Sequence, residues 1–195
     1  MPRRLDWRAL GWFAAGLVSI VLMRRDLLGY DAQLAPVIVP AALKQRVVER
    51  EFAVTVSGFR LARRYRIVDP SALEKTERVL QPQGLWLAVP VEVDMLRRPG
   101  LVGARLRTRD GLLYAANGNR RPDLRGVNIG GQMLDPGQSV KGAYFFEVPP
   151  ARLPGAHLQL FSGTYPPKLD AVIDIDLGID EAALSRAVEE LDLRP

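Results

Sequence analysis

The chain has 195 residues, 48% of them hydrophobic and 25% charged, with no cysteine and a single histidine. That length fits one ordinary domain plus a linker, and that balance excludes general disorder. The missing cysteines exclude disulfides, thiol nucleophiles and thiolate metal sites. The net charge of +5 rests on 27 basic residues, of which only Lys44, Lys75, Lys141 and Lys168 are lysines. An arginine-rich, lysine-poor chain with abundant Ala, Leu, Val and Gly points to a GC-rich genome more than to nucleic-acid binding.

The N-terminus carries the strongest single signal. Between Arg8 and Arg24 fifteen residues pass without a charge, and Arg3, Arg4, Arg8, Arg24 and Arg25 flank them. An apolar plug with basic flanks predicts a membrane-anchoring helix. Trp12, Phe13, Leu17, Val18, Ile20, Val21 and Leu22 would face lipid, with Trp7 and Trp12 near the first interface. The larger basic count before the plug predicts an N-terminus inside and the remainder outside the cytoplasm. A cleaved signal peptide has a similar n-region and h-region, but Arg24-Arg25-Asp26 stands where a small-residue cleavage site would follow. A core helix is the third reading, and it would have to be apolar nearly all round.

The expected divisions are a cytoplasmic tip and transmembrane anchor over residues 1–28, a tether over 29–46 containing Pro36 and Pro40, a β-sandwich over 47–178, and an acidic amphipathic helix over 179–195. Within the sandwich, Phe52, Val54 and Val56 alternate with Ala53, Thr55 and Ser57, the period of a strand. Asp69-Pro70-Ser71 marks a turn, and residues 71–79 could form a short helix. The strongest strand runs over 85–95, with Leu85, Leu87, Val89, Val91, Val93 and Met95 on one face. Pro90 lacks a ladder donor, which requires an exposed side or a bulge there. Residues 103–108 and 112–116 flank Asp110-Gly111, a tight-hairpin dipeptide.

Residues 117–131 are rich in Gly, Asn and Arg and read as a long loop. Strands follow over 139–148, over 157–161 with Leu158 and Leu160 inward, and over 171–177 with Ile173 and Ile175 opposed to Asp174 and Asp176. Asp180 suits a helix N-cap, and Leu184, Val188 and Leu191 then recur at helical spacing. Many short strands with frequent turn signals predict a mainly β protein, an antiparallel immunoglobulin-like sandwich.

Specific motifs accompany this pattern: Gly84-Leu-Trp-Leu-Ala-Val, Asp110-Gly111-Leu-Leu-Tyr114, Leu134-Asp-Pro136-Gly137, Gly142, and Phe146-Glu147-Val148-Pro149. Their order over roughly residues 50–177 resembles the bacterial telokin-like, immunoglobulin-like extracytoplasmic domains. The resemblance implies a small β-sandwich behind a single anchor, and it lends no catalytic residues. Gly142 would permit a bend or a close approach where a side chain would clash.

Chemistry-bearing constellations are thin. His157 lies alone in a predicted strand, and no Gly-x-Ser-x-Gly elbow exists to recruit it. A zinc site would need more nitrogen or sulfur ligands. Residues 174–181 resemble a calcium loop faintly, but Ser185 stands where the bidentate Glu belongs. Residues 126–131 are glycine-rich without a P-loop lysine. Residues 97–125 hold eight arginines against Asp110 and Asp123, while acids crowd the stretch after Asp170. The two regions could satisfy each other or form separate solvated faces.

The expected function is therefore non-catalytic: an anchored extracytoplasmic domain that binds an envelope protein, such as a transporter component, or a polyanion. No cofactor, metal or nucleic acid is expected. Arg120, Arg121, Arg125 and Asn128 of the basic loop are the expected contact residues. The alternative is an envelope sensor for a small ligand or metal.

Overall fold

The computed structural model describes residues 7–26, 35–69, 76–116, 127–163 and 170–192. The chain divides into two units, residues 1–35 and 36–195. The first holds one helix, α1 (Trp7–Asp26). No proline interrupts it, and the Ser19 hydroxyl donates to the Ala15 carbonyl at 2.9 Å, so that polar side chain is satisfied within the apolar run. Trp7, Trp12, Phe13, Leu17, Val18, Ile20, Val21 and Leu22 are all exposed.

The expectation of a full transmembrane span is not met. Among the described residues no helix is long and apolar enough to cross a membrane. The cause is charge placement. Arg8 near one end of α1 and Arg24, Arg25 and Asp26 at the other restrict the uncharged run to fifteen residues. That run is about 22 Å of helix against a hydrocarbon core of about 30 Å.

The second unit is built from strands in two sheets. The five-stranded sheet has the order β1 (Val37–Ala41), β11 (Ala171–Asp176), β10 (His157–Ser162), β7 (Val102–Arg107), β8 (Leu113–Ala115). The seven-stranded sheet has the path β12 (Val188–Asp192), β4 (Arg60–Asp69), β6 (Leu85–Met95), β3 (Phe52–Val56), β2 (Arg46–Val48), with β5 (Thr76–Leu80) beside β4 and β9 (Ser139–Val148) beside β6. Pairing is antiparallel except at the two chain ends. There β1 runs parallel to β11 and β12 runs parallel to β4.

The inward faces of the two sheets form one core. β6 contributes Leu85, Leu87, Val89, Val91, Val93 and Met95, all at most 4% exposed, as its alternation requires. Tyr144, Phe146 and Val148 of β9 join them, and Leu106, Leu158, Leu160, Ile173 and Ile175 face them from the five-stranded sheet. The buried Tyr144 hydroxyl donates to the Val102 carbonyl at 2.6 Å, a hydrogen bond from one sheet to the other. Burial pushes that phenol's pKa far up. A second apolar cluster lies on the outer face of the seven-stranded sheet, where Tyr65 stacks on Trp86 at 4.9 Å and meets Phe145 edge-on.

Pro90 occupies the one stretch of β6 that needs no donor. On one side its partner Ala143 turns its own N–H and C=O away, toward Val127 and Ile129. On the other, β6 changes partner from β3 to β4, and the Pro90 carbonyl accepts from the Ser57 amide across that gap. The motif glycines sit at close approaches. A Cβ on Gly84 would fall 2.4 Å from the Val148 carbonyl oxygen, and one on Gly142 would fall 2.9 Å from that of Val127. Gly111 and Gly137 adopt φ of 83° in the two tight turns.

Three expected boundaries change. The tether is not one from residue 37 onward, because β1 and β2 belong to the sheets. Pro40 is tolerated because β1 is an edge strand. The short helix over 71–79 is not formed over its later part: residues 76–80 are β5, paired with β4. Its earlier part, to residue 75, lies outside the described residues. The C-terminal helix is only α2 (Glu181–Ser185), with the Asp180 carboxylate accepting from the Ala183 amide at 2.7 Å as an N-cap. Beyond it the chain is extended as β12, where Leu191 packs against the outer cluster.

Candidate functional site

The expected contact residues are not brought together as a described surface. Arg120, Arg121 and Arg125 lie outside the described residues. Asn128 is half-buried, its side-chain oxygen accepts from the Gly130 amide at 2.8 Å, and its backbone forms a parallel bridge to Ala143. These contacts give it the role of a turn former that ties the end of the loop to β9.

The acidic stretch meets residues 97–125 where Asp174 pairs with Arg107 at 3.2 Å, and its later acids meet arginines of β4 instead. Glu189 of β12 lies 2.6 Å from Arg64 and 3.6 Å from Arg63, and Glu190 lies 2.7 Å from Arg66. The register that places Glu190 beside Arg64 brings these side chains onto one edge. The pairs are exposed, so each contributes little to stability and mainly fixes which strand β12 joins.

A polar cluster that the sequence does not announce lies on the outer face of the five-stranded sheet. Alternation turns Arg105 and Arg107 of β7, His157 and Gln159 of β10 and Asp174 of β11 to that face. The pairings His157 with Arg107, Gln159 with Arg105 and Gln159 with Asp174 then align them. Asp174 is 9% exposed and Gln159 3%. The Asp174 carboxylate accepts from Gln159 at 2.7 Å and from Arg107 at 3.2 Å. Nδ1 of His157 lies 2.8 Å from it, and a carboxylate only accepts, so Nδ1 carries the proton.

Burial opposes ionisation of Asp174, but the Gln159 bond, the Arg107 charge and the His157 hydrogen bond prevail and hold its carboxyl below the usual range. Gln159 in turn accepts from Arg105 Nε at 2.6 Å, and the Arg105 guanidinium lies 5.7 Å from the centre of the Phe161 ring. Gly103 makes that arrangement possible, since a Cβ there would lie 2.5 Å from the Phe161 ring.

This arrangement satisfies its own charges, and among the described residues no hydroxyl is bonded to His157. The acids of the faint calcium-loop pattern have separate duties: Asp174 in this cluster, Asp176 accepting from the Gly178 amide at 2.8 Å, and Asp180 capping α2. Among the described residues no group of three metal-ligating side chains converges.

No family model and no curated protein matches the chain. Similar solved structures include an uncharacterized beta-sandwich protein from Clostridium difficile 630, at 8% identity and TM-score 0.43, covering 72% of this chain and 95% of that one. A secreted protein from Mycobacterium tuberculosis aligns at 13% identity and TM-score 0.44, covering 73% and 98%. The yjhA protein from Bacillus subtilis aligns at 11% identity and TM-score 0.44, covering 69% and 99%. By its own two facing sheets and shared core, the chain from residue 36 onward is a mainly antiparallel β-sandwich.

Proposed function

We propose that this protein is a non-catalytic binding domain of the cell envelope, delivered out of the cytoplasm and held at the membrane by α1. The observation that carries the reading is α1 itself: a helix apolar on every described face of its central run, exposed over residues 11–22, with arginines at both ends. An export signal needs an apolar core of only about 7–15 residues, so the shortfall against a full bilayer does not prevent targeting. Arginine snorkelling and local thinning of the bilayer offset the mismatch once the helix is seated. The excess of arginine before the run favours an N-terminus left on the cytoplasmic side. The motif resemblance to telokin-like extracytoplasmic domains agrees with this placement.

The partner is an envelope protein or polyanion that meets the basic loop at Arg120, Arg121 and Arg125. Long-chain polyphosphate serves as the polyanion probe. It is expected to raise the thermal unfolding midpoint of the whole chain, the effect disappearing in high salt and in the Arg120→Gln/Arg121→Gln/Arg125→Gln variant. Photo-crosslinking in membranes from a reactive group at position 121 is expected to give an adduct with an envelope component. If the midpoint stays put and no adduct forms, the partner-binding reading is wrong.

A further inference from the structure

A pocket of about 460 Å³ opens where the start of β4 meets the C-terminal segment. Its walls are of two kinds. Phe59, Leu61, Val188 and Leu191 supply an apolar lining, and the arginines Arg60 and Arg186 line the same cavity. That volume lies within the usual range of about 300–1,000 Å³ for small-molecule sites.

The two cations are not consumed by the acids nearest to them in the chain. Glu189 is engaged by Arg63 and Arg64, and Glu190 by Arg66. Among the described residues Arg60 makes no ion pair. Arg186 spends only its Nε, on the Ala182 carbonyl at 3.1 Å, which leaves its terminal nitrogens available. A cavity with an apolar wall, lined by two arginines outside the described ion pairs, is complementary to an apolar tail with an anionic head, and an acyl chain ending in a carboxylate has both. The planar fork of arginine matches a carboxylate through paired hydrogen bonds, and the tail is driven out of water by the apolar wall.

We propose that this pocket binds a medium-chain acyl carboxylate, with Arg60 and Arg186 holding the head and Phe59, Leu61, Val188 and Leu191 enclosing the tail. Both halves of the wall are needed, because β4 supplies one and the segment from α2 into β12 supplies the other. Occupancy therefore stabilises the docking of β12 on β4, and the ligand acts as a clip on the C-terminal strand. This inference stands apart from the polyanion reading, which rests on residues 120, 121 and 125.

Decanoate, kept below its micellar concentration, is the probe, and hydrogen exchange on the full chain is the readout. Decanoate is expected to slow amide exchange in residues 59–62 and 183–191 and to raise the unfolding midpoint. The Arg60→Gln/Arg186→Gln variant is expected to bind at least about tenfold more weakly, and decanol is expected to bind the unaltered protein more weakly by a similar factor. Both arginines are exposed, so the variant keeps its fold, which its unfolding midpoint without ligand verifies. α1 is a second apolar surface among the described residues, and it is identical in both proteins. Protection confined to residues outside the pocket, equal affinity in the double variant, or equal affinity for decanol overturns the proposal.

Discussion

Phe146→Ala is expected to lower the unfolding free energy by about 3–5 kcal/mol, read as a drop in the urea midpoint with an unchanged slope. Phe146 has no exposed surface and sits in β9 opposite Leu87, with Tyr144 and Val148 two positions away on the same face. Its ring fills space between two sheets that are each hydrogen-bonded into a ladder, so the neighbours cannot collapse into the cavity. The large end of the range for aromatic truncation follows from that rigidity. A loss below about 1 kcal/mol would mean that the inward faces of β6 and β9 do not meet the five-stranded sheet.

Asp174→Ala is expected to cost about 2–3 kcal/mol at neutral pH, the scale of hydrogen bonds to a charged group. The change removes the acceptor shared by Gln159, Arg107 and His157 and leaves the Gln159 amide, almost fully buried, without it. Arg107 and His157 are each about one-third exposed and regain water, which keeps the loss below that of a fully buried pair.

The pH dependence has a definite sign. The folded protein holds the Asp174 pKa below its ordinary 3.8, so at low pH the unfolded chain binds this proton first. The stabilisation is complete above the ordinary value and is lost as pH falls through the lower folded value. The difference between the parent and Asp174→Ala should therefore shrink as pH falls through the carboxylate range, measured by urea unfolding at a series of pH values. A difference that grows as pH falls through that range would contradict the assignment of the cluster.

Much of this architecture can be read from alternation alone. The inward residues of β6, β9, β10 and β11 follow from period two, because each strand has one face on the core and a side chain must go there or to water. The Asp110-Gly111 turn and the Asp180 cap are local chemistry and equally legible. The segments read differently from their final form share another property: their structure is decided by a distant partner. β1 pairs with β11 across most of the chain, and nothing in Val37–Ala41 names that partner. Val188 and Leu191 fit a helical spacing, yet Leu191 lies against Tyr65 and the two glutamates pair with arginines of β4, which outweighs the weak helical preference of a short, uncapped end.

The same limit hid the polar cluster. Arg105, Arg107, His157, Gln159 and Asp174 each stand at an outward position of a legible strand, but only the register of three strands places them within hydrogen-bonding reach. Likewise Arg60 and Arg186 are separated by most of the chain, and the pocket they share exists because β12 docks beside β4. The apolar run of α1 is the opposite case. It is local, and its fifteen-residue length, visible at once, also sets why it falls short of a full span.

The central claim is that this apolar helix carries the sandwich out of the cytoplasm. Alkaline phosphatase, active only outside the cytoplasm, fused after Pro195 of the full chain tests it in intact cells, alongside a Leu17→Arg/Ile20→Arg variant that breaks the apolar run. High phosphatase activity sedimenting with membranes, abolished by the double substitution, is the predicted result; an inactive fusion recovered from the cytosol, unchanged by the substitution, would contradict it.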